Sequence, residues 1–142
     1  MPVPVVQPHI LVIMGLPLYG RTWQLKSSSD NGIGAPAVGT GSGNDGIMIY
    51  TDIEDFNVAN DAAVVFNART LSTYSHAGTD WIGYDGPQST EKKVEFARAQ
   101  GLGGYFFWAL GYNKNWTLSK IGRLFMSTRL FIRRKFHNFY FL

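Results

Sequence analysis

The sequence predicts an α/β fold in which two buried strands and a connecting helix carry an inserted α+β module. Residues 10–14 form an unbroken aliphatic run that Gly15 closes, and residues 104–110 form a second apolar run. Apolar runs of this length are typical of parallel strands that are covered on both faces. A helical pattern at residues 91–100 precedes the second run, so the two strands and this helix are expected to form a parallel βαβ unit.

The inserted module begins with an extended segment at residues 19–25 and a loop at residues 26–46. The loop is dense in Gly, Ser, Asn and Asp, and a loop of this length in a small protein is usually functional or inserted. Thr51 and Glu54 then have the spacing of a capping box, which predicts a short helix. The last elements of the module are three strands, at residues 63–66, 71–75 and 80–84. Their short connections require antiparallel pairing.

The helix before the last strand has recognisable ends. Ser89 or Thr90 is expected to cap it and Gly101 to end it. Its apolar stripe is expected to consist of Val94, Phe96 and Ala97.

Charge and composition exclude several classes of function. The chain has a net charge of +3, but residues 120–142 hold six basic and no acidic side chains, so that residues 1–119 carry −3. The folded part therefore lacks a basic surface for nucleic acid, and we expect no nucleic-acid partner. There is no cysteine, and His9, His76 and His137 are far apart, so we expect no metal site and no cofactor.

The N-terminal part shows no targeting signal. The apolar run at residues 10–18 is shorter than the roughly 20 residues of a membrane-spanning helix, and no basic leader or small-residue cleavage site accompanies it. We therefore expect no transmembrane segment, and the localisation stays open.

Three motifs resemble a known family. MGLPLYGRTW, WIGYDGPQSTEKK and GLGGYFFWALGYNKNWTLS are similar, in this order, to the C-terminal part of glycoside hydrolase family 18, and most similar to plant class V chitinases and chitinase-like proteins. Members of that family are commonly secreted or vacuolar. The resemblance spans about residues 10–121. It implies an incomplete (β/α)8 TIM barrel, consisting of the last two strands and the helix between them, which carries an α+β chitinase insertion domain.

The resemblance also implies domain bounds and a ligand. An N-terminal segment and the penultimate barrel strand lie in residues 1–18, the insertion domain in 19–84, the helix and last strand in 85–121, and a basic aromatic tail outside the family pattern in 122–142. Chitin or chito-oligosaccharide is the implied ligand. The implied substrate-binding residues are Trp108, Tyr19, Arg21, Met48 and Tyr50. Trp108 matches the family tryptophan whose indole lies under a sugar ring, because a flat ring suits the C–H face of a pyranose.

The catalytic motif of the family does not occur in these 142 residues. Family members cleave by substrate assistance, with the glutamic acid of DxxDxDxE as the proton donor. The nearest carboxylates, Asp52, Glu54 and Asp55, are interpreted as a solvated helix face, and we assign no catalytic residue. Two smaller departures concern polar positions, since Gly86 follows Asp85 and Asn113 stands where relatives have an aspartate.

These observations predict a truncated chitinase-like protein that binds carbohydrate without hydrolysing it. One alternative is a chitinase that is active only when another chain supplies the missing barrel strands, and another is a non-functional gene fragment. Unpaired strand edges are expected to allow self-association. The tail is interpreted as an aberrant C-terminus, with a membrane-surface or nucleic-acid-binding segment as the alternative.

Overall fold

The computed structural model describes residues 12–126, so His9, His137 and most of the basic tail lie outside the described residues. Two sheets and three α-helices make up this part of the chain. Its strands are β1 (Ile13–Pro17), β2 (Tyr19–Leu25), β3 (Ala37–Thr40), β4 (Ile47–Ile49), β5 (Ala63–Asn67), β6 (Ser72–Ala77), β7 (Asp80–Tyr84) and β8 (Gly104–Trp108). Its α-helices are α1 (Tyr50–Ala59), α2 (Pro87–Ala99) and α3 (Thr117–Met126), and two short 3-10 helices, Leu110–Tyr112 and Lys114–Trp116, connect β8 to α3.

The smaller sheet confirms the predicted parallel pair. β1 lies parallel to β8 in a register that pairs Ile13 with Gly104 and Pro17 with Trp108. Leu16 is buried and points to the side on which Phe107 packs against the core. Ile13 and Phe106 are exposed on the other face, so the expectation that both faces would be covered is wrong for the described residues.

The larger sheet is antiparallel and holds all the remaining strands. Its order is β3-β2-β7-β6-β5, and β4 pairs with the N-terminal half of β2 on the same edge that β3 occupies further along. Thr22 and Ile82 are paired at the centre of the sheet and are both buried. The α+β character and antiparallel pairing expected for this part of the chain are confirmed.

A small apolar core joins the sheets to the helices. Leu18, Tyr50 and Leu118 form its buried centre. Tyr84, Phe107 and Ile121 pack around these three side chains. The core therefore contains residues from both sheets and from α1 and α3, and it fixes β8 next to the start of β2.

Several predicted boundaries need correction. The first strand runs to Pro17 rather than ending at Met14, and residues 10 and 11 of the predicted run lie outside the described residues. Part of the segment predicted as loop forms β3, whose four residues are all exposed. An exposed edge strand lacks the alternation of buried and exposed residues that a sequence pattern detects, and main-chain pairing to β2 holds it in place. Leu71 was expected to begin a strand, but it has a φ of 51° in the turn before β6.

The predicted helix caps are also different. α1 begins at Tyr50, after Ile49, and has no side-chain cap. Thr51 instead donates from Oγ1 to the carbonyl oxygen of Tyr112 at 3.3 Å, and Glu54 accepts a hydrogen bond from Tyr50 Oη at 2.6 Å. Both side chains of the expected capping box are therefore engaged in other contacts.

The start of α2 also differs from the prediction, whereas its end agrees. It begins at Pro87, and Ser89 donates to the carbonyl oxygen of Gly86 at 3.1 Å. Phe96 is exposed rather than part of the buried stripe, because it follows Val94 by two positions and so lies on the opposite side of the helix. Gly101 ends the helix with a φ of 64°, as predicted. The last strand is shorter than predicted and ends at Trp108.

Candidate functional site

Leu18 connects the two sheets and brings three of the predicted site residues together. It is the single residue between β1 and β2, and its side chain is fully buried. Its N–H donates to the carbonyl oxygen of Trp108 at 2.7 Å, and its carbonyl oxygen accepts from the N–H of Tyr50 at 2.9 Å. Tyr19 is the next residue along the chain. The main chains of Trp108, Tyr19 and Tyr50 are thus held around one buried residue.

Trp108 presents its side chain to solvent at the carboxyl end of β8. It is the last residue of the strand, its side chain is 65% exposed, and a cis peptide bond joins it to Ala109. The pairing places it on the same face of the parallel sheet as Phe106, which is also exposed. An exposed indole beside an exposed phenyl ring provides an apolar surface at the end of the strand where parallel α/β proteins build their sites.

Tyr19 and Arg21 share one face of β2. They are two positions apart in an extended strand, with Tyr19 half-buried and Arg21 exposed. Tyr19 pairs with Ile49 and Arg21 pairs with Ile47, so these two isoleucines lie on the same face. A phenol and a guanidinium at this place can donate hydrogen bonds to hydroxyl or acetamide oxygens.

The side chains of Met48 and Tyr50 do not share the face of Tyr19 and Arg21. Met48 pairs with Gly20 and therefore faces the side of the sheet on which α1 packs, where a Cβ at Gly20 would lie 2.8 Å from Ile53. Tyr50 is only 1% exposed and belongs to the core. The Tyr50 side chain is nearly inaccessible to solvent, and the isoleucines on either side of Met48 are the residues that share a face with Arg21.

A second polar cluster was not predicted from the sequence. Tyr50, Glu54, Asn57 and Tyr84 line a cavity of about 340 Å³ together with Val58, Val64 and Pro87. Asn57 donates from Nδ2 to Tyr84 Oη at 3.1 Å. Burial raises the pKa of the Tyr84 phenol, and the hydrogen bond from Asn57 opposes that shift. Glu54 is half-buried here, which corrects its assignment to a solvated helix face, whereas Asp52 and Asp55 are exposed.

Within residues 12–126, no three His, Cys, Asp or Glu side chains are grouped so that they could bind a metal ion. His76 stacks on Tyr74 with ring centroids 6.3 Å apart. No helix in the same part of the chain has the length and hydrophobicity needed to span a membrane.

The parallel β1–β8 pair with α2 between its strands, together with the antiparallel sheet, defines a mixed α/β protein. Residues 5–113 match the model of the glycosyl hydrolases family 18. The chain belongs to this family, which confirms the resemblance seen in the motifs.

Similar proteins in this family include several plant chitinases. The Class V chitinase CHIT5 of Lotus japonicus is 54% identical over 109 residues, which cover 77% of this chain and 28% of that protein. The structure of a mutant class V chitinase from Nicotiana tobaccum in complex with NAG4 superposes with a TM-score of 0.82 at 35% identity, over 85% of this chain and 36% of that one. The chitinase-like agglutinin RobpsCRA from Robinia pseudoacacia gives a TM-score of 0.74 at 36% identity, over 83% of this chain and 33% of that one. The chain thus spans about a third or less of the length of these relatives.

Proposed function

We propose that this chain contributes one wall of a chitin- or chito-oligosaccharide-binding site, in which Trp108 stacks on a sugar ring and Tyr19 and Arg21 donate hydrogen bonds to it. The observation that carries the proposal is the exposed indole of Trp108 at the end of β8. The main chain of Trp108 is hydrogen-bonded to Leu18, the residue directly before β2. The related tobacco chitinase in complex with NAG4 supports the choice of ligand. The agglutinin among the similar structures supports a binding function.

In this proposal β1, α2 and β8 are the last two strands and the intervening helix of a (β/α)8 barrel, and β2 to β7 form its insertion domain. The parallel register of β1 and β8 and the position of α2 between them support this arrangement. Because DxxDxDxE is missing from the printed sequence, the chain by itself binds sugar without cleaving it.

Calorimetric titration of the chain with chitohexaose tests the binding proposal. Trp108→Ala should lower the affinity by about 2 kcal/mol or more, as expected for a central aromatic contact, which corresponds to about 30-fold in Kd. Trp116→Ala is the matched control, because Trp116 is similarly exposed but has no part in the proposed site. Unchanged affinity in folded Trp108→Ala, or hydrolysis of chitohexaose by the chain alone, would contradict the proposal.

A second candidate is chitin hydrolysis in a complex with a chain that supplies the other barrel strands. The exposed face of the parallel sheet favours it, since Ile13 and Phe106 would be covered by further strands. Mixing the chain with a separately produced N-terminal barrel segment of a class V chitinase should then yield hydrolysis of a fluorogenic chito-oligosaccharide that neither part shows alone. No activity in a mixture that demonstrably forms a complex would refute this candidate.

The same exposed face supports self-association. In residues 12–126, β1 and β8 pair only with each other, so each strand has one unpaired edge. A second copy could pair with these edges or pack over the exposed face, where it would cover Phe106. Sedimentation velocity should show a concentration-dependent dimer that Phe106→Ser weakens, and a monomer at all concentrations would exclude it.

A further inference from the structure

A cavity of about 300 Å³ lies against the antiparallel sheet, further along β2 from Tyr19. Its walls are the side chains of Trp23, Leu25 and Trp81 and the loop that contains Gly32, Gly34, Ala35 and Ala37. Trp23 and Trp81 are paired across β2 and β7 and therefore lie on the same face of the sheet. Trp23 is 43% exposed, so one indole remains accessible to a ligand.

The indole of Trp81 is held in one orientation from three sides. Its Nε1–H donates to the carbonyl oxygen of Asn31 at 3.2 Å. Tyr74 stacks on it, with ring centroids 5.4 Å apart and planes 20° from parallel. Gly83 lies beneath it, and a Cβ at that position would be 2.8 Å from the ring. The glycine therefore lets the indole lie close to its own strand, and the ring needs little ordering when a ligand binds.

The lining of the cavity fits a neutral ligand with one apolar face. None of the seven lining residues carries a charge. The indoles provide flat apolar surface, whereas the glycines and alanines have at most a methyl group and leave the main chain of the loop accessible for hydrogen bonds. A pyranose ring combines a C–H face with hydroxyl groups around its edge, which matches both parts of this lining. The volume is at the lower end of the range for small-molecule sites and suits one ring rather than an extended chain.

We propose that this cavity is a separate carbohydrate site, in which one pyranose ring of a neutral oligosaccharide stacks on Trp23 and hydrogen-bonds to the Gly32–Ala37 loop. The site uses neither Trp108 nor Arg21. A test of this site can therefore succeed or fail independently of a test of the function proposed above. The alternative is that the loop only shields Trp81 from solvent and the cavity binds no ligand. The experiment below distinguishes a binding site from such a structural cover.

The indole N–H signals of the ¹⁵N-labelled chain report on each tryptophan separately. Single Trp→Phe variants assign the signals, and chitotetraose is then added to millimolar concentration. We expect saturable shifts of the Trp23 and Trp81 signals, both in the wild-type chain and in Trp108→Ala. Absence of these shifts, or their loss in Trp108→Ala, overturns the proposal, whereas failure of the Trp108 signal alone to shift bears only on the site at the end of β8.

Two variants test the location without relying on one fold-sensitive change. Trp23→Ala removes the stacking surface, and Gly32→Leu adds a bulky side chain to a residue that lines the cavity, at a position where a Cβ meets no atom within 4 Å. Both should weaken the binding that the Trp81 signal reports by about tenfold or more. Val38→Ala, on the exposed neighbouring strand β3, is the matched control and should leave it unchanged. Unchanged binding in Gly32→Leu would refute this location.

Discussion

The buried ion pair between Asp85, which follows β7, and Lys93 of α2 should stabilise the folded chain. Its contribution should be far larger than that of the exposed pair between Lys92 and Glu95 on the same helix. Lys93 Nζ donates to both carboxylate oxygens of Asp85, at 2.6 and 2.8 Å. The Asp85 side chain is 3% exposed and that of Lys93 30%. At these distances the gross attraction is about 6 kcal/mol for an effective dielectric constant of about 20, and the desolvation of Asp85 offsets most of it. Since hydrogen bonds to charged groups contribute about 1.5–3 kcal/mol net, we expect about 2 kcal/mol.

Removing the lysine and removing the carboxylate should lower the stability of the chain by different amounts. Lys93→Met leaves a buried carboxylate without its cation, whereas Asp85→Asn leaves an ammonium group that can turn towards water. Lys93→Met should therefore be the more destabilising change. In a chain of this size, 2 kcal/mol corresponds to a fall in Tm of roughly 8 °C.

Lys92 provides a control on the same helix. Its Nζ lies 2.8 Å from Glu95 Oε2, but both side chains are more than 40% exposed. Lys92→Met should therefore leave the Tm nearly unchanged, because exposed pairs contribute little. Thermal unfolding followed by circular dichroism checks both variants. Equal losses of Tm in Lys92→Met and Lys93→Met would refute the reasoning that burial decides the contribution.

Three further predictions concern the core around β2. Gly20→Ala should destabilise the chain by about 1–3 kcal/mol, since its Cβ would lie 2.8 Å from Ile53; denaturant unfolding measures this. Leu18→Ala should cost about 2–5 kcal/mol in the same assay and also weaken chitohexaose binding. Burial raises the pKa of the Tyr50 and Tyr84 phenols in the folded chain. Because both phenols then ionise more readily after unfolding, their contribution to stability should be complete below about pH 10 and should fall as the pH rises further.

Each of these has a clear contrary result. A Gly20→Ala chain as stable as the wild type would mean that Ile53 of α1 and the Gly83 carbonyl group and Ile82 of β7 can all move aside at no cost. A Leu18→Ala chain that unfolds at a lower denaturant concentration but binds chitohexaose normally would show that Leu18 does not determine the geometry of the binding site. Stability that stays constant from pH 10 to about pH 11 would contradict the burial of the phenols. If Tyr50 contributes to the loss of stability at alkaline pH, Tyr50→Phe should reduce that loss.

Local sequence chemistry predicted the hairpins and the end of α2, whereas edge strands and caps needed tertiary information. Gly101 was identifiable because a left-handed residue at a helix end favours glycine. β3 could not be predicted, because four exposed residues show no burial pattern and depend on pairing with β2. The capping box failed for a similar reason, since Thr51 bonds to Tyr112, 61 residues away in the chain.

The sequence names candidate site residues but does not determine which face of the sheet each side chain occupies. Side chains alternate along a strand, so an offset of one position moves a residue to the opposite side of the sheet. Met48 shows this effect, because Ile47 and not Met48 shares a face with Arg21. Tyr50 shows another limit, since tyrosine suits a core as well as a surface when its hydroxyl finds a partner, and here Glu54 provides one.

The geometry around Leu18 explains why stability and binding should be coupled in this chain. A single residue separates β1 from β2, so a shift of either sheet acts directly on the other. Its N–H and carbonyl groups hold the main chains of Trp108 and Tyr50, and its side chain shares the core with Leu118 of α3. Any ligand that contacts both Trp108 and Tyr19 must therefore bridge the two sheets across this point. Such a ligand should raise the free energy of unfolding of the junction, because it binds only when both sheets are in place.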